Sequence, residues 1–160
     1  MKILFIAPYK PSPVKPRTLN FIKFLRRRNH FVDVITLEET DPIFSASAIT
    51  DKLGIDNLEV IPLNKKIAIA RTVLGLLNKN PFQVNYCYSE RFKNRINEKI
   101  QSGNYDIVNI ENIRAIQHLV KNKIKIPVIF DAVDCMSQRY SQFSDKATGI
   151  FTTIYRIESK

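Results

Sequence analysis

Four glycines in 160 residues leave little from which to build a glycine-rich phosphate loop. Neither G-x-G-x-x-G nor G-x-x-x-x-G-K-[ST] occurs, which disfavours nicotinamide, flavin and P-loop nucleotide chemistry. Cysteine is equally scarce. Cys87 and Cys135 form no C-x-x-C pair, and both adjoin apolar runs, so reduced, buried thiols are expected. The two histidines, His30 and His118, have no Cys or Asp at ligand spacing, and a zinc site gains no support. A G-x-S-x-G elbow is missing as well. No run approaches the roughly 18 apolar residues of a membrane span. Pro8, Pro11 and Pro13 interrupt the opening MKILFIA run too early for a signal peptide. The chain therefore reads as cytoplasmic.

What is present is charge, unevenly spread. The formal net charge is +10. Residues 1–37 carry eight basic side chains against one acidic, residues 38–62 one against six, and residues 63–102 eight against two. Such a surface attracts phosphates, whether on a nucleotide, a lipid head group or a nucleic acid. Hydrophobic residues make up 44%, enough for the core of one ordinary domain.

Strand and helix patterns alternate. KILFIA, FVDVITL, LEVIPL, YDIVNIE and IPVIFDA read as apolar strands, and VNYCY as a short β-like run. TLNFIKFLRRRN reads as a helix with Thr18 at its start and arginines in its last turn. SASAITDKLG suits a short helix ending near Gly54. SERFKNRINEKIQSGN is a helix opened by Ser89 and closed by Gly103. NIRAIQHLVKN reads as a helix carrying His118, and GIFTTIYRIESK as another. KKIAIARTVLGLLNKNP reads as an apolar helix with a basic front, stopped by Pro81. It is expected to cover the sheet through Ile67, Ala70, Val73, Leu74 and Leu77, with an interfacial membrane helix as the alternative. The sum is a Rossmann-like three-layer α/β/α domain, its mainly parallel sheet ordered 3-2-1-4-5 with room for a further strand.

Ligands of such sheets collect beyond the carboxyl ends of the strands. After strand one, Lys10, Lys15 and Arg17 precede a helix N-terminus and suit an anion. Glu111 ends the fourth long strand, where a carboxylate can accept from a polyol hydroxyl. Asn112 is placed to cap the next helix. In FDAVDC, Phe130 is expected to be the last buried strand residue. Asp131 is expected to face the cleft, Asp134 or Ser137 to cap the next segment, and Cys135 to pack. Two carboxylates without Gly, Asn or a further Asp make a poor calcium loop, so no metal is expected.

Three segments together resemble the N-terminal domain of bacterial family-4-like glycosyltransferases of the two-domain GT-B fold. ILFIAPYKPSPVKPRTLNFIKFLRRRNHFVDVITL resembles that domain's opening. FQVNYCYSERFKNRINEKIQSGNYDIVNIENIRAIQHL resembles a later stretch, in a branch related to exopolysaccharide sugar transferases. IPVIFDAVDCMS resembles that branch's DaVDcxS segment, at Asp131, Asp134 and Ser137. The loop after strand one departs from many relatives by carrying Val14 and Lys15 where they have glycines. Asn109 or Glu111 stands where many have a histidine.

The resemblance implies sugar transfer from a nucleotide-sugar donor to a glycan or lipid-linked acceptor, with no covalently bound cofactor. It implies that residues 1–160 are an incomplete acceptor-side domain, with residues 11–17 as the acceptor-side loop. The donor-binding C-terminal domain would be the missing partner, and the chain alone is expected to be inactive. Peripheral contact with the inner face of an anionic membrane fits the same picture. The rival reading is a basic α/β module that binds nucleic acid or an anionic membrane surface. Nucleic acid is disfavoured because KFLRRRN lacks the aromatic platforms of single-strand binders.

Overall fold

The computed structural model describes residues 1–14, 16–39, 55–75, 81–119, 124–133 and 136–159. Five strands form one parallel sheet: β1 (Lys2–Ala7), β2 (Phe31–Glu38), β3 (Asn57–Pro62), β4 (Ile107–Glu111) and β5 (Val128–Asp131). Their order, β3-β2-β1-β4-β5, is the one expected. β1 lies at the centre and its Ile3–Ala7 are buried. A strand covered on both faces must be apolar throughout, and KILFIA is.

The two faces separate by alternation. Leu4 and Ile6 join Ile35, Leu37 and Ile110 in the larger core, against Phe92 and Ile96 of helix α4 (Glu90–Ser102). Phe5 and Ala7 join Val32 and Val34 in the smaller core, against Leu19 and Ile22 of helix α1 (Pro16–Arg27). α4 has the caps expected of it. The Ser89 side chain accepts from Phe92 N, and Gly103 donates to Lys99 O. A Cβ on Gly103 would come within 2.1 Å of the Tyr105 ring and 2.5 Å of Lys99 O, so no larger residue fits.

Asp33 interrupts the apolar run of β2 on the α4 side and is buried. Lys99 of α4 holds both its oxygens at 3.0 and 3.1 Å, and the Tyr105 hydroxyl donates to it. Burial and this bond to Asp33 raise the Tyr105 pKa far above its usual value. The buried charge thus fixes where α4 sits along β2.

Several local expectations are corrected. α1 starts at Pro16, since a proline at the first helical position forfeits an N–H that has no partner there. Thr18 therefore lies within the first turn, buried, and does not cap it. VNYCY is not a strand: helix α3 (Phe82–Cys87) takes its first four residues, with Pro81 as the N-cap whose carbonyl accepts from Val84 N and Asn85 N, and Tyr88 follows as the C-cap. The helix after β4 is one short turn, α5 (Ile113–Ile116). His118 N to Ala115 O and Leu119 N to Ile116 O then tighten the chain into an i→i−3 turn, so His118 lies beyond the helix.

Helix α2 (Lys65–Leu74) is capped by Asn64 and faces the core with Ala68 alone. Its expected sheet-covering stripe points outward: Ile67, Val73 and Leu74 are exposed. Phe130 is also exposed rather than buried, as are Val128 and Ile129, because β5 is an edge strand with little packed over it. Helices α6 (Met136–Lys146) and α7 (Ile150–Glu158) pack on each other through the rings of Tyr140, Phe143 and Tyr155. The SASAITDKLG segment with Gly54, and Leu77, lie outside the described residues.

Packing predicts the mutational response. Phe92→Ala empties the fully buried centre of the larger core and is expected to cost about 3–5 kcal/mol. Phe130→Ala, on the exposed edge, is expected to cost about 1 kcal/mol or less. Urea unfolding of the two variants measures the contrast.

Candidate functional site

The site is built where β1, β2 and β4 end. Pro8 turns the chain out of β1, and Tyr9 and Thr18 then close over the last residue of β4. Tyr9 Oη donates to Glu111 Oε1 at 3.3 Å, and Thr18 Oγ1 donates to Glu111 Oε2. Glu111 is 2% exposed. Burial holds its pKa above the usual value, and the two hydroxyl bonds offset only part of that rise. Both oxygens are therefore committed within the protein, and Glu111 lies beneath the cavity without lining it.

Arg17, one residue before Thr18, reaches across to β5. Nη2 lies 2.7 Å from Asp131 Oδ1 and Nε 3.1 Å from Oδ2, a forked pair. Asp131 Oδ1 also accepts from Val133 N at 3.2 Å, and its carbonyl accepts from Asn112 N at 2.8 Å. Val133 holds φ 63° and Asn112 φ 72°, conformations that L side chains rarely adopt. Asn112 does cap α5, accepting from Arg114 N at 3.1 Å. Lys15, Asp134 and Cys135 lie outside the described residues, as does the side chain of Ser137.

Lys10 does not join Arg17. Its Nζ turns the other way, 3.8 Å from Glu38 Oε2 at the end of β2. There it lines a cavity of about 430 Å³ with Tyr9, Ser12, Glu38, Glu39 and Arg114, over Leu37 and Leu63. Arg114 and Cys87 also border an adjoining cavity of about 360 Å³, with Gln83 and Tyr86. Arg114 Nε donates to Gln83 Oε1 at 2.9 Å, and Gln83 Nε2 donates to Tyr140 Oη, which ties α6 to this wall. Burial pushes the Cys87 thiol up, so it stays protonated and unreactive at neutral pH.

The sequence pointed to Lys10 in this cavity but not to Glu38, Glu39 or Arg114, nor to Gln83 in the adjoining one. Glu38 could have been found, since it ends β2 as Glu111 ends β4. Gln83 could not, because it stands just before a segment with a strand-like pattern. No group of three or more His, Cys, Asp or Glu suited to a metal occurs among the described residues.

His118 is structural. It is 1% exposed. Its Nε2 accepts from Ser89 N at 3.1 Å, and its Nδ1–H donates to Ala115 O at 3.0 Å. The ring stacks on Tyr88 and meets Phe92 edge-on. These bonds require the neutral ring, and burial lowers its pKa to about 4.

No family model and no curated protein matches the sequence. The C-terminal domain (residues 78–226) of a hydrogenase from Pyrococcus furiosus is structurally similar, with a TM-score of 0.54 at 17% identity over 81% of this chain and 89% of that one. A protein from Methanocaldococcus jannaschii described as a predicted subunit of tRNA methyltransferase reaches a TM-score of 0.38 at 13% identity, over 80% of this chain and 67% of that one. The first likeness is one of fold alone, and the second carries no argument.

The buried groups set two measurable outcomes. Glu111→Gln keeps acceptor and donor atoms in place without a buried charge, and its thermal midpoint at neutral pH is expected to equal or exceed that of the parent. Glu111→Leu strands the two hydroxyls and is expected to cost about 1–3 kcal/mol. For His118, the folded pKa lies below the unfolded one. Its contribution is full above pH 6.5 and is lost as pH falls toward 4, roughly 3 kcal/mol in all. Urea midpoints followed across that range are expected to fall in the parent and to flatten in His118→Gln.

Proposed function

We propose that this domain supplies the acceptor side of a glycosyltransferase, receiving the glycan or lipid-linked sugar onto which a nucleotide-sugar donor's sugar is moved. The observation that carries the reading is the mixed charge of the 430 Å³ cavity at the carboxyl ends of β1 and β2. A sugar hydroxyl both donates and accepts, and is served best by carboxylates and cations together. Glu38 and Glu39 supply acceptors, Lys10 and Arg114 donors, and Ser12 both. Tyr9, its hydroxyl hydrogen given to Glu111, adds a further acceptor. The volume lies in the range of small-molecule sites. The order and spacing of the three resembling segments agree with it, since they contain Tyr9, Lys10, Ser12 and Arg114.

The same charges argue against two alternatives. A nucleic-acid groove gains affinity by neutralising phosphates, and two carboxylates at its centre oppose that. They likewise oppose the departing nucleoside diphosphate of a donor. The domain is therefore assigned the acceptor and not the donor, and no turnover with nucleotide sugars is expected from these residues alone.

Calorimetric titration with soluble neutral oligosaccharides, nucleotide sugars and duplex DNA tests the reading. The sugar acceptors are expected to bind, and Arg114→Ala and Glu38→Gln each to weaken them by roughly tenfold, the worth of one charge-assisted hydrogen bond. DNA binding with no response to any sugar, or glycan binding indifferent to both substitutions, would reject it.

A further inference from the structure

The 430 Å³ cavity shares a wall with its 360 Å³ neighbour: Glu39, Cys87 and Arg114 line both. The second space is built differently from the first. Phe82, Gln83 and Tyr86 of α3 line it, half-buried, and Phe82 and Tyr86 are one helical turn apart. Thr72 of α2 completes the lining. Its hydroxyl donates to Ala68 O at 2.8 Å and keeps its capacity to accept. The Tyr86 hydroxyl is engaged by Glu39, and burial together with that carboxylate raises its pKa above the usual value. Arg114 gives Nε and Nη2 hydrogens to the Gln83 carbonyl oxygen. A guanidinium has further N–H groups for the two spaces that it borders.

We propose that the second cavity receives a second sugar ring, so that the acceptor recognised is a glycan of at least two units. The inference rests on the sugar-acceptor reading of the first cavity and extends it. A sugar ring has two kinds of surface, a hydroxyl-bearing edge and apolar C–H faces. The first cavity, with carboxylates and cations together, serves the edge. The second adds aromatic rings, whose electron-rich faces take polarised C–H groups, and keeps Gln83 and Thr72 for hydroxyls. Arg114 stands at the junction, where the glycosidic linkage and its flanking hydroxyls pass from one space to the other. Each space is of small-molecule size. Other occupants fit less well. A hydrocarbon chain would press against Glu39, Gln83 and Arg114 and strip them of water. A phosphate would meet the Glu39 carboxylate that lines both cavities.

Calorimetry with matched sugars of one and two units decides it. The probes are the methyl glycosides of glucose, galactose and mannose, each with its α- and β-linked disaccharides. At least one disaccharide is expected to bind about tenfold more tightly than its own methyl glycoside, the worth of a stacked ring and a hydrogen bond. Tyr86→Leu, with an unchanged circular dichroism spectrum, is expected to lower that ratio by about threefold or more. Tyr86 also packs on the larger core. If Tyr86→Leu fails to fold, Phe82→Leu replaces it, with the same expectation. Disaccharides that bind no more tightly than a methyl glycoside that does bind would overturn the second subsite and leave the acceptor cavity standing. So would a ratio retained in the folded variant. Absence of binding by every one of these sugars would reject the second subsite together with the reading on which it rests.

Discussion

A buried carboxylate has no water to turn to, so the protein must supply what the solvent would have supplied. Glu111 meets that demand by drawing two distant segments to the end of β4: Tyr9 from the turn after β1, and Thr18 from the first turn of α1. Much else at this end of the sheet depends on it. With Thr18 held inward, Arg17 projects across the sheet edge to Asp131. With Tyr9 held over β4, Lys10 is sent in the opposite direction, toward Glu38. Glu111 thus sends Lys10 and Arg17, two cations of one loop, to different places.

The division matters for the chemistry. Had Lys10 and Arg17 converged, the loop would have formed an anion site at a helix N-terminus. Each cation instead has a carboxylate partner, and the cavity that results has no dominant sign. That arrangement favours neutral, hydroxyl-rich ligands over phosphates. The strongly basic character of the chain is expressed elsewhere, and the groove beside α2 is one place where Lys65, Lys66 and Arg91 gather.

The layered fold was legible because its signals are local and redundant. β1 and β2 are nearly continuous apolar runs, and α4 carries both its caps and its spacing in one stretch. What sequence could not yield depends on partners far along the chain. Asp33 reads as an interruption of a strand until Lys99, 66 positions on, is seen to answer it. Arg17 and Asp131 are 114 apart. The periodicity of α2 gave a stripe but not its direction, since that is set by the space over the sheet, which admits only Ala68. VNYCY carried β-type side chains, but Pro81 accepts from Val84 N and Asn85 N and winds the segment into a helical turn.

The central claim is that the cavity between Tyr9, Lys10, Glu38 and Arg114 accepts a neutral polyol. Amide chemical-shift mapping of the isotope-labelled chain during titration with an oligosaccharide tests it most directly. The account predicts saturable shifts clustered at Tyr9, Ser12, Glu38 and Arg114, with inorganic phosphate leaving those amides unmoved. Shifts at these residues with phosphate but not with the sugar, or sugar-induced shifts confined to other faces of the sheet, would contradict it.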